Sequence, residues 1–428
     1  MVYNLGMNKT VAFHTLGCKV NQYETEAIRE QFAGGGWRIV REDEPADVYV
    51  INTCTVTNLA DRKSRQYIRK ARSLNDKALI AVTGCYAETD REEVSAIDGV
   101  SLVVGTADKM MLFSEVEKML GEQSRKIGGG LIYGMAGRTR SYIKIQEGCD
   151  RYCAYCIIPY ARGSVRSRDE NDIIAEAERL VSSGHREIVL TGINTALYGR
   201  ANGVSGIRRL LERLDSVEGD FRVRLSSLEP NVVSKDDVEE LLRSKRLCHH
   251  LHLSVQSGSD SVLKRMNRRY TRDDYIQIVD AIRRFDPHYG ITADIIVGFP
   301  GESEEEFFDS LSLTERCGFA KVHVFRYSPR RGTLAAAMND QIGPKVKNVR
   351  SKALIAASEK ASREFRKSCI GDEQTVLFEK KQGGLLTGYA GNYIRVYAEG
   401  TGDILNGLKR VRLGSVYKDG MKGEIING

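Results

Sequence analysis

Residues 141 to 163 read SYIKIQEGCDRYCAYCIIPYARG and place Cys149, Cys153 and Cys156 within eight residues, directly after a predicted β-strand. Cysteine thiolates at this density are typical ligands of iron–sulfur clusters. Three thiolates leave one iron of a four-iron cluster open to an exogenous ligand. A structural zinc ion prefers a closed shell of four ligands, and no further cysteine or histidine lies within twenty residues of the triplet. The spacing therefore favours an iron–sulfur site over zinc.

The same stretch begins a run of six predicted βα units. The strand candidates are SYIKIQ (141–146), EIVLTG (187–192), RVRLSS (222–227), HLHLSV (250–255), ADIIVG (293–298) and KVHVFRY (321–327). Helical patterns lie between them, as in residues 169–184, where apolar side chains share one face. The alternation predicts a partial or complete βα (TIM-like) barrel over residues 139–365, with its functional groups at the carboxyl ends of the strands.

Residues 8–125 also alternate short apolar strands with helical stretches, which predicts a doubly wound α/β domain with a parallel sheet. Cys18, Cys54 and Cys85 each follow one of these strands, in TLGC, INTC and VTGC. The carboxyl ends of parallel strands line one crevice, so the three thiols are expected to converge. Alternatively, each is an ordinary buried cysteine. Cys248, Cys317 and Cys369 show no such placement and are interpreted as structural.

The remaining chain predicts a linker and a third domain. Residues 121–140 are rich in glycine and basic residues, as linkers are. Residues 366–428 contain short strands broken by glycine, which predicts a small all-β barrel. Basic and aromatic residues interleave there, which is typical of an RNA-binding barrel and also of any solvated strand face. These residues are Tyr393, Arg395, Tyr397, Lys409, Arg410 and Arg412.

Composition bounds the class of protein. Of the 428 residues, 41% are hydrophobic and 28% are charged, which is usual for a globular protein. No apolar run reaches the roughly 18 residues that span a bilayer, and the first residues lack the pattern of a signal peptide. Nine cysteines without a secretory signal favour metal or redox roles over disulfides. We therefore predict a cytoplasmic protein without membrane contact, whose net charge of +7 permits contact with a polyanion.

The cysteine triplet in its strand–loop context resembles the radical S-adenosylmethionine superfamily, and the whole chain resembles the methylthiotransferase family. The phrases that carry the second resemblance are LGCKVNQYETE, INTCTVTN, VTGCYA, CDRYCAYCIIPYARG, HLSVQSGS and DIIVGFPGE. Family members modify an adenosine next to the tRNA anticodon or an aspartate of a ribosomal protein, and they end in a small RNA-holding barrel called TRAM. GCKVNQYE is most similar to the subgroup that acts on N6-threonylcarbamoyladenosine at position 37.

The resemblance implies two 4Fe-4S clusters. The cluster on Cys149, Cys153 and Cys156 would bind S-adenosylmethionine and cleave it to a radical that takes hydrogen from C2 of the adenine. The auxiliary cluster on Cys18, Cys54 and Cys85 would carry a sulfur atom, which a second S-adenosylmethionine methylates before its transfer to that carbon. The implied partners are the tRNA anticodon stem-loop and an electron donor such as a flavodoxin or ferredoxin.

The resemblance also suggests residues that hold S-adenosylmethionine. Tyr155 would lie against the adenine, and the segment from Gly298 to Glu302 would approach it closely through its glycine. Asn194, Glu229 and Gln256 follow barrel strands two, three and four, where each is a candidate ligand contact or a helix cap. Ser303 with the acids behind it would explain the Gly298 segment as a helix cap without any ligand.

Three alternatives to the threonylcarbamoyladenosine enzyme stay open at this point. Two are methylthiotransferases that act on isopentenyladenosine in tRNA or on a ribosomal-protein aspartate. The third is an RNA-binding module with structural zinc.

Overall fold

A computed structural model describes residues 9–121, 139–200, 206–230 and 235–426. Residues 122–138, which make up most of the predicted linker, lie outside this part of the chain. No helix in the described residues is both long enough and apolar enough to cross a membrane.

The first part of the chain forms a five-stranded parallel sheet in the order β2-β1-β3-β4-β5. Its elements are β1 (Thr10–Thr15), α1 (Lys19–Gly34), β2 (Arg38–Val40), β3 (Val48–Thr53), α2 (Asn58–Leu74), β4 (Leu79–Gly84), α3 (Cys85–Thr89), α4 (Arg91–Ser95), β5 (Val100–Val103) and α5 (Leu112–Met119). Helices α1 and α5 bury Ile28, Phe32 and Val116 against one face of the sheet. Helices α2 to α4 cover the other face, so the predicted doubly wound fold is confirmed.

The strand order places the cysteines at a defined edge. The order in which strands are added reverses between β1 and β3, because β2 lies on one side of β1 and the later strands lie on the other. Ligands of such sheets bind at the carboxyl ends of the strands at this point. Cys18 follows β1, Cys54 follows β3 and Cys85 follows β4, which pairs with β3. All three therefore leave the same edge.

The second part is a curved, all-parallel arrangement of six strand positions wrapped by helices. Its elements are β6 (Arg140–Lys144), β7 (Gln146–Glu147), α6 (Ile158–Arg162), β8 (Arg166–Ser167), α7 (Glu170–Ser182), β9 (Glu187–Thr191), α8 (Ile207–Asp215), β10 (Arg222–Leu225), β11 (Ser227–Leu228), α9 (Lys235–Leu241), β12 (His250–Leu253), α10 (Asp260–Arg265), α11 (Arg272–Phe285), β13 (Gly290–Val297), α12 (Glu304–Cys317), β14 (Lys321–Arg326) and α13 (Pro344–Ser368).

The six positions form a partial barrel. Strands pair in the orders β10-β9-β6 and β11-β12-β13-β14, and β7 pairs with β8 as a short antiparallel flap. A parallel bridge between Val223 and Leu247 joins the two groups of the barrel wall. Within the described residues, no pairing joins β6 to β14, so the wall stays open there.

Alternate strand residues separate the barrel's outside from its interior. Apolar residues such as Ile188, Val223 and Leu251 pack outward against the helices in the largest hydrophobic cluster. The inward positions of β10, β12 and β13 are instead polar, for example Arg224, His252 and Asp294. This interior differs from the branched apolar filling usual in closed βα barrels.

The last part is a closed five-stranded barrel in the order β15-β16-β17-β19-β18. Its strands are β15 (Glu373–Gln382), β16 (Leu385–Ala390), β17 (Arg395–Ala398), β18 (Leu408–Tyr417) and β19 (Gly420–Ile425). Val376, Phe378 and Leu386 are completely buried in its core. The all-β barrel predicted at this end of the chain is confirmed.

This small barrel packs against the amino ends of the large barrel's strands. The guanidinium of Arg222 donates to the backbone oxygens of Thr375 at 2.7 Å and Tyr389 at 2.8 Å. Tyr393 stacks on His250, with ring centroids 4.6 Å apart, and lies under the guanidinium of Arg224 at 4.7 Å. Tyr393, predicted as part of an RNA-binding face, therefore contacts the large barrel.

Candidate functional site

Cys18, Cys54 and Cys85 approach one another above the first sheet. Cys18 is exposed just before α1, whereas Cys54 and Cys85 are buried. Gly17 has a φ of +104°, and a Cβ built there would lie 3.0 Å from the Cys54 Sγ atom. Only glycine permits this backbone conformation beside the thiol without strain. The predicted convergence of the β1 and β3 exits is thus visible in the packing.

Cys85 is electrostatically coupled to the other two thiols. Burial raises the pKa of Cys54 to about 12, and the neighbouring Cys85 and Cys18 raise it further, against a lowering by a backbone hydrogen bond at Val56. Burial also raises the pKa of Cys85, while Arg162 opposes that rise and Cys18 adds to it. Cys54 and Cys85 therefore both lie close enough to Cys18 to feel its charge.

Arg162 joins this group to the second cysteine triplet. It ends α6, the helix directly after Cys156, and its side chain is fully buried. Its Nε donates to Cys85 Sγ at 3.3 Å, and its Nη1 donates to Glu24 at 3.0 Å and to Glu147 at 2.9 Å. Its Nη2 also donates to the side-chain oxygen of Asn21. One side chain thus connects helix α1, Cys85 and the loop that carries Cys149, Cys153 and Cys156.

A buried network of charges surrounds Arg162. Glu24 lies 2.6 Å from the ammonium of Lys109 and 3.1 Å from that of Lys144. Burial alone would raise the pKa of Glu24, but Arg162, Lys109 and Lys144 outweigh burial and hold it well below its usual range. Buried charges persist only when they are paired in this way. The network fixes the first sheet against the barrel at the level of the thiols.

A second buried ion pair connects the two parts on another side. Arg330, in the segment after β14, donates to Asp61 at 2.7 Å and to Asn58 at 2.6 Å on α2. A cavity of about 750 Å³ opens nearby, between the α3–α4 region and the triplet loop, and it is lined in part by Glu88, Arg91, Ile157, Tyr160, Arg330 and Arg331.

Cys149, Cys153 and Cys156 form the second group of thiols at the carboxyl end of β6. The Cys149 amide donates to the Gly163 oxygen at 3.1 Å, and the Cys156 amide donates to the Cys153 oxygen at 2.9 Å, so the loop turns tightly. Burial raises the pKa of Cys149 to about 11 and that of Cys156 to about 12, and Cys153 raises both further. Cys149, Cys153 and Cys156 therefore stand in one short loop, close enough to affect one another's charge.

The spacing of the thiols distinguishes a cluster from a single ion. All six cysteines are described, yet neither triplet brings its three sulfur atoms within 4.8 Å of one another. A tetrahedral zinc ion with Zn–S bonds of about 2.3 Å would hold its sulfur ligands roughly 3.8 Å apart. In each triplet at least one pair of sulfur atoms is therefore too far apart to ligate one zinc ion in this structure. The donor set of three thiolates also fits iron–sulfur ligation.

Asn194 and Glu229, two of the predicted S-adenosylmethionine contacts, lie together beside this triplet. The Asn194 amide donates to Glu229 at 2.6 Å. Glu229 also pairs with Arg268 at 2.8 Å and with Arg151 at 3.3 Å. Arg268 in turn donates to Cys153 Sγ at 3.4 Å. These polar groups form a connected chain that ends at the thiols.

Tyr155 and Gln256 occupy the same end of the barrel. Tyr155 packs, partly buried, against the cluster that contains Met266, Ile296 and Phe299, and burial raises its pKa well above the ordinary value. Gln256 has a φ of +70°, and its backbone bonds to β13 on both sides, at Asp294 and Ile296. This left-handed turn directs the chain away from the strand at the barrel mouth.

Gly298 lies in a segment that is organised by helix α12. Its amide donates to the Glu302 carboxylate at 2.6 Å, and a Cβ built at Gly298 would lie 2.4 Å from Cγ of Lys347. Ser303 caps α12 in a reciprocal capping box with Glu306. The predicted helix cap is thus present and accounts for part of this segment without a ligand.

Several residues of the site were not found from the sequence. Asn21 lies three positions after Cys18, and Glu24 lies three positions after Asn21. Residues three apart are neighbours on a helix surface, so Asn21 is placed next to each of the other two. Arg162 stands in the quoted phrase CIIPYARG, but its partners lie in another part of the chain. Arg268 and Arg330 carried no local signal.

Two family models match the chain in the regions that hold the two triplets. The Radical SAM superfamily matches residues 143–314, and a family described as "Uncharacterized protein family UPF0004" matches residues 10–105. The first range contains Cys149, Cys153 and Cys156, and the second contains Cys18, Cys54 and Cys85.

A solved structure shares the fold at low sequence identity. The radical S-adenosylmethionine methyltransferase TsrM from Kitasatospora setae superposes with a TM-score of 0.57, covering 89% of this chain and 81% of that chain at 14% identity. At this identity the likeness concerns the fold alone.

Two curated relatives match over nearly their whole length. The chain is 42% identical to the threonylcarbamoyladenosine tRNA methylthiotransferase MtaB of Bacillus subtilis (strain 168), covering 97% of each protein. It is 34% identical to the tRNA-2-methylthio-N(6)-dimethylallyladenosine synthase of Moorella thermoacetica, covering 98% of this chain and 99% of that one. Together with the two triplets, these matches show that the chain belongs to the radical S-adenosylmethionine tRNA methylthiotransferases, transferases that use S-adenosylmethionine and 4Fe-4S clusters.

Proposed function

We propose that this enzyme transfers a methylthio group to C2 of N6-threonylcarbamoyladenosine at position 37 of tRNA. Cys149, Cys153 and Cys156 would hold the cluster that binds S-adenosylmethionine, and Cys18, Cys54 and Cys85 would hold the auxiliary, sulfur-carrying cluster. The observation that carries this proposal is Arg162, because it donates to Cys85 Sγ at 3.3 Å from the helix that directly follows Cys156. A direct link of this kind is expected if both thiol groups serve one reaction space.

The substrate proposal is supported by the relatives. Four similar proteins that are 37–42% identical are named threonylcarbamoyladenosine tRNA methylthiotransferases. Those named for dimethylallyladenosine are 33–34% identical. The difference favours the threonylcarbamoyl substrate, and the dimethylallyl substrate is the second outcome that a direct test has to distinguish.

When bound, the cofactors would provide the chemistry that removes the hydrogen from C2 and the methylthio group that replaces it. The chain's own residues supply position and charge. Arg162 places a fixed positive charge beside Cys85, which favours the thiolate form needed for iron ligation. Arg268 does the same for Cys153 at 3.4 Å. These guanidinium groups would also offset the negative charge that thiolates bring into a buried space.

Tyr155, Asn194, Glu229, Gln256 and Gly298 are proposed to surround S-adenosylmethionine. The connected chain from Asn194 through Glu229 to Arg268 supports this role, because it presents polar groups beside the thiols. The target base would have to leave its stack to reach a site between the first sheet and the barrel. Three further points remain predictions from the sequence. They are the cytoplasmic location, the three domain boundaries and an electron donor such as a flavodoxin or ferredoxin.

Nucleoside analysis tests the proposed function. A strain that lacks the gene is complemented with the wild-type enzyme, with Cys85→Ala, or with Cys317→Ala as a control for a buried cysteine outside both triplets. Mass spectrometry of digested tRNA should show 2-methylthio-N6-threonylcarbamoyladenosine with the wild type and Cys317→Ala only. If that nucleoside is unchanged in the deletion strain while the 2-methylthio dimethylallyl nucleoside disappears, the proposed substrate is wrong.

A further inference from the structure

His288, Cys369 and Asp372 meet where the large and small barrels join. His288 lies in the loop that leads into β13, and the other two lie between α13 and β15. The His288 nitrogen, the Cys369 sulfur and an Asp372 oxygen all lie within 4.8 Å of one another. No other three histidine, cysteine or acidic side chains among the described residues bring their ligand atoms this close. The group lies at the amino end of β13, whereas the cysteine triplet after β6 lies at the opposite end of the barrel.

A tight turn over residues 369–372 holds two of these side chains. The Asp372 amide donates to the Cys369 oxygen at 3.2 Å, and Gly371 in the turn has a φ of +93°, which favours glycine. Leu413 on β18 fixes the turn, because its oxygen accepts from the Gly371 amide and its amide donates to the Asp372 oxygen, both at 2.8 Å. The spacing of two residues between Cys369 and Asp372 therefore presents a thiol and a carboxylate together, as paired cysteines at this spacing do in structural zinc sites.

The large barrel supplies the third side chain. His288 Nδ1 lies 2.6 Å from Asp372 Oδ2. The His288 amide donates to Asp286 Oδ1 at 2.8 Å, and its backbone oxygen accepts from the Asn392 side-chain amide at 3.3 Å. The same Asn392 nitrogen lies 3.9 Å from the Cys369 sulfur. A completely buried asparagine of the small barrel thus contacts both the histidine loop and the thiol, and such surrounding hydrogen bonds are what hold metal ligands in place.

Charge and exposure leave this position accessible to a cation. The Cys369 side chain is completely buried, whereas His288 and Asp372 are partly exposed, so an ion can enter from the solvent side and keep a water molecule as a further ligand. Arg283 approaches the same loop, but its guanidinium donates to the backbone oxygens of Pro287 and Gly318, both at 2.9 Å.

We propose that a zinc ion bound by His288, Cys369 and Asp372 joins the small barrel to the large one. Thiolate, imidazole and carboxylate are the ligand types that zinc takes in proteins. A thiolate disfavours magnesium and calcium, and zinc ranks above ferrous iron in affinity for such sites. A tetrahedral zinc ion would hold its nitrogen and oxygen ligands roughly 3.3 Å apart, so the His288 and Asp372 side chains would separate slightly to admit it. The site is structural, and it does not depend on the proposed tRNA substrate.

The test measures zinc in the iron-loaded enzyme. Anaerobically purified full-length protein, with its iron content measured, is incubated with zinc sulfate and gel-filtered, and zinc per chain is determined by elemental mass spectrometry. The variants are wild type, His288→Gln and Cys369→Ala. His249→Gln is the matched control, because His249 Nδ1 makes a contact of the same length, 2.6 Å, with Asp286 Oδ2.

We expect one zinc ion per chain in the wild type and in His249→Gln. Loss of a residue that only orients a metal ligand weakens metal binding by about tenfold to a hundredfold, and loss of a ligand itself should exceed that. His288→Gln and Cys369→Ala should therefore give up zinc to a competing chelator that leaves the wild type loaded. Zinc should raise the urea midpoint of the wild type but not that of His288→Gln, because a ligand that binds only the folded state stabilises it.

X-ray absorption at the zinc edge identifies the ligands, because iron does not contribute to that edge. One sulfur neighbour with nitrogen and oxygen neighbours supports the proposal. Three sulfur neighbours would place the zinc in a cysteine triplet and would overturn it, as would a wild type that binds no zinc or a His288→Gln variant that binds as much as the wild type. His288 is partly exposed, so this comparison holds even if Cys369→Ala does not fold.

Discussion

Arg162 Nε lies 3.3 Å from Cys85 Sγ and donates a hydrogen bond to it across 77 residues of sequence. Arg162 belongs to the helix that follows Cys156, and Cys85 begins the helix that follows β4. A fully buried side chain therefore joins the segment that follows Cys156 to Cys85. Its remaining donors are used by Glu24, Glu147 and Asn21.

Replacing Arg162 by methionine should disrupt the auxiliary site more than the radical site. The change leaves the carboxylates of Glu24 and Glu147 with fewer cations in a buried space, and loss of one partner of a buried pair costs about 3–5 kcal/mol. We expect lower stability in urea and a fall in iron from about eight to about four atoms per chain. Arg166→Met is the matched control, because Arg166 also approaches Glu147, at 3.8 Å, but its side chain is 53% exposed.

Each cysteine triplet should support one cluster independently. Changing Cys149, Cys153 and Cys156 to alanine should leave about four iron atoms per chain, and changing Cys18, Cys54 and Cys85 should do the same. Iron and sulfide analysis of anaerobically prepared protein checks both. Stoichiometric zinc without iron in the wild type would instead support the RNA-binding module with structural zinc.

The ion pair between Arg330 and Asp61 should stabilise the junction of the first sheet and the barrel. Both side chains are about nine-tenths buried, and the atoms are 2.7 Å apart. Arg330→Met should destabilise the protein by about 3–5 kcal/mol because it leaves Asp61 unpaired. Asp61→Asn in the same chain should reduce that loss, and additive effects in the double-mutant cycle would show that the pair is not coupled.

Acid should lower the free energy of unfolding through Glu187, which pairs with Arg222 and Arg224 where the large and small barrels meet. Burial would raise the pKa of Glu187, but Arg224, Arg222 and Arg140 outweigh it and hold the pKa far below the ordinary value. A carboxyl with a depressed folded-state pKa stabilises the fold above its unfolded pKa of about 4.3, and that contribution is lost as the pH falls below this value. Urea unfolding of the wild type at pH 7, 5 and 4 should show the loss.

Glu187→Gln provides the comparison for that experiment. It should be less stable than wild type at pH 7, because Arg222 and Arg224 lose their carboxylate, and the gap should narrow toward pH 4. A gap that is constant with pH would show that the titration of Glu187 does not contribute.

The strands and helices were largely predictable, because their local patterns agree with their tertiary surroundings. EIVLT at residues 187–191 is a buried strand, and residues 170–182 form the predicted helix with Asp169 as its cap. The short strand Arg38–Val40 was not predicted, because a three-residue edge strand with exposed and half-buried positions has no distinct period. The small barrel was predicted from its turns, but the direction in which Tyr393 faces was not.

The placement of the six cysteines follows from the amino-acid sequence alone. Their spacing and their positions at strand ends are local properties, and parallel strands deliver such positions to one edge as a matter of topology. The charged side chains that surround these cysteines come from distant parts of the chain, and they meet only when the domains pack. Arg162 and Glu24 are 138 residues apart, and Arg330 and Asp61 are 269 residues apart. Buried ion pairs leave no periodic pattern in the sequence. Which residues pair depends on which charged groups lose water and come close together when the elements pack.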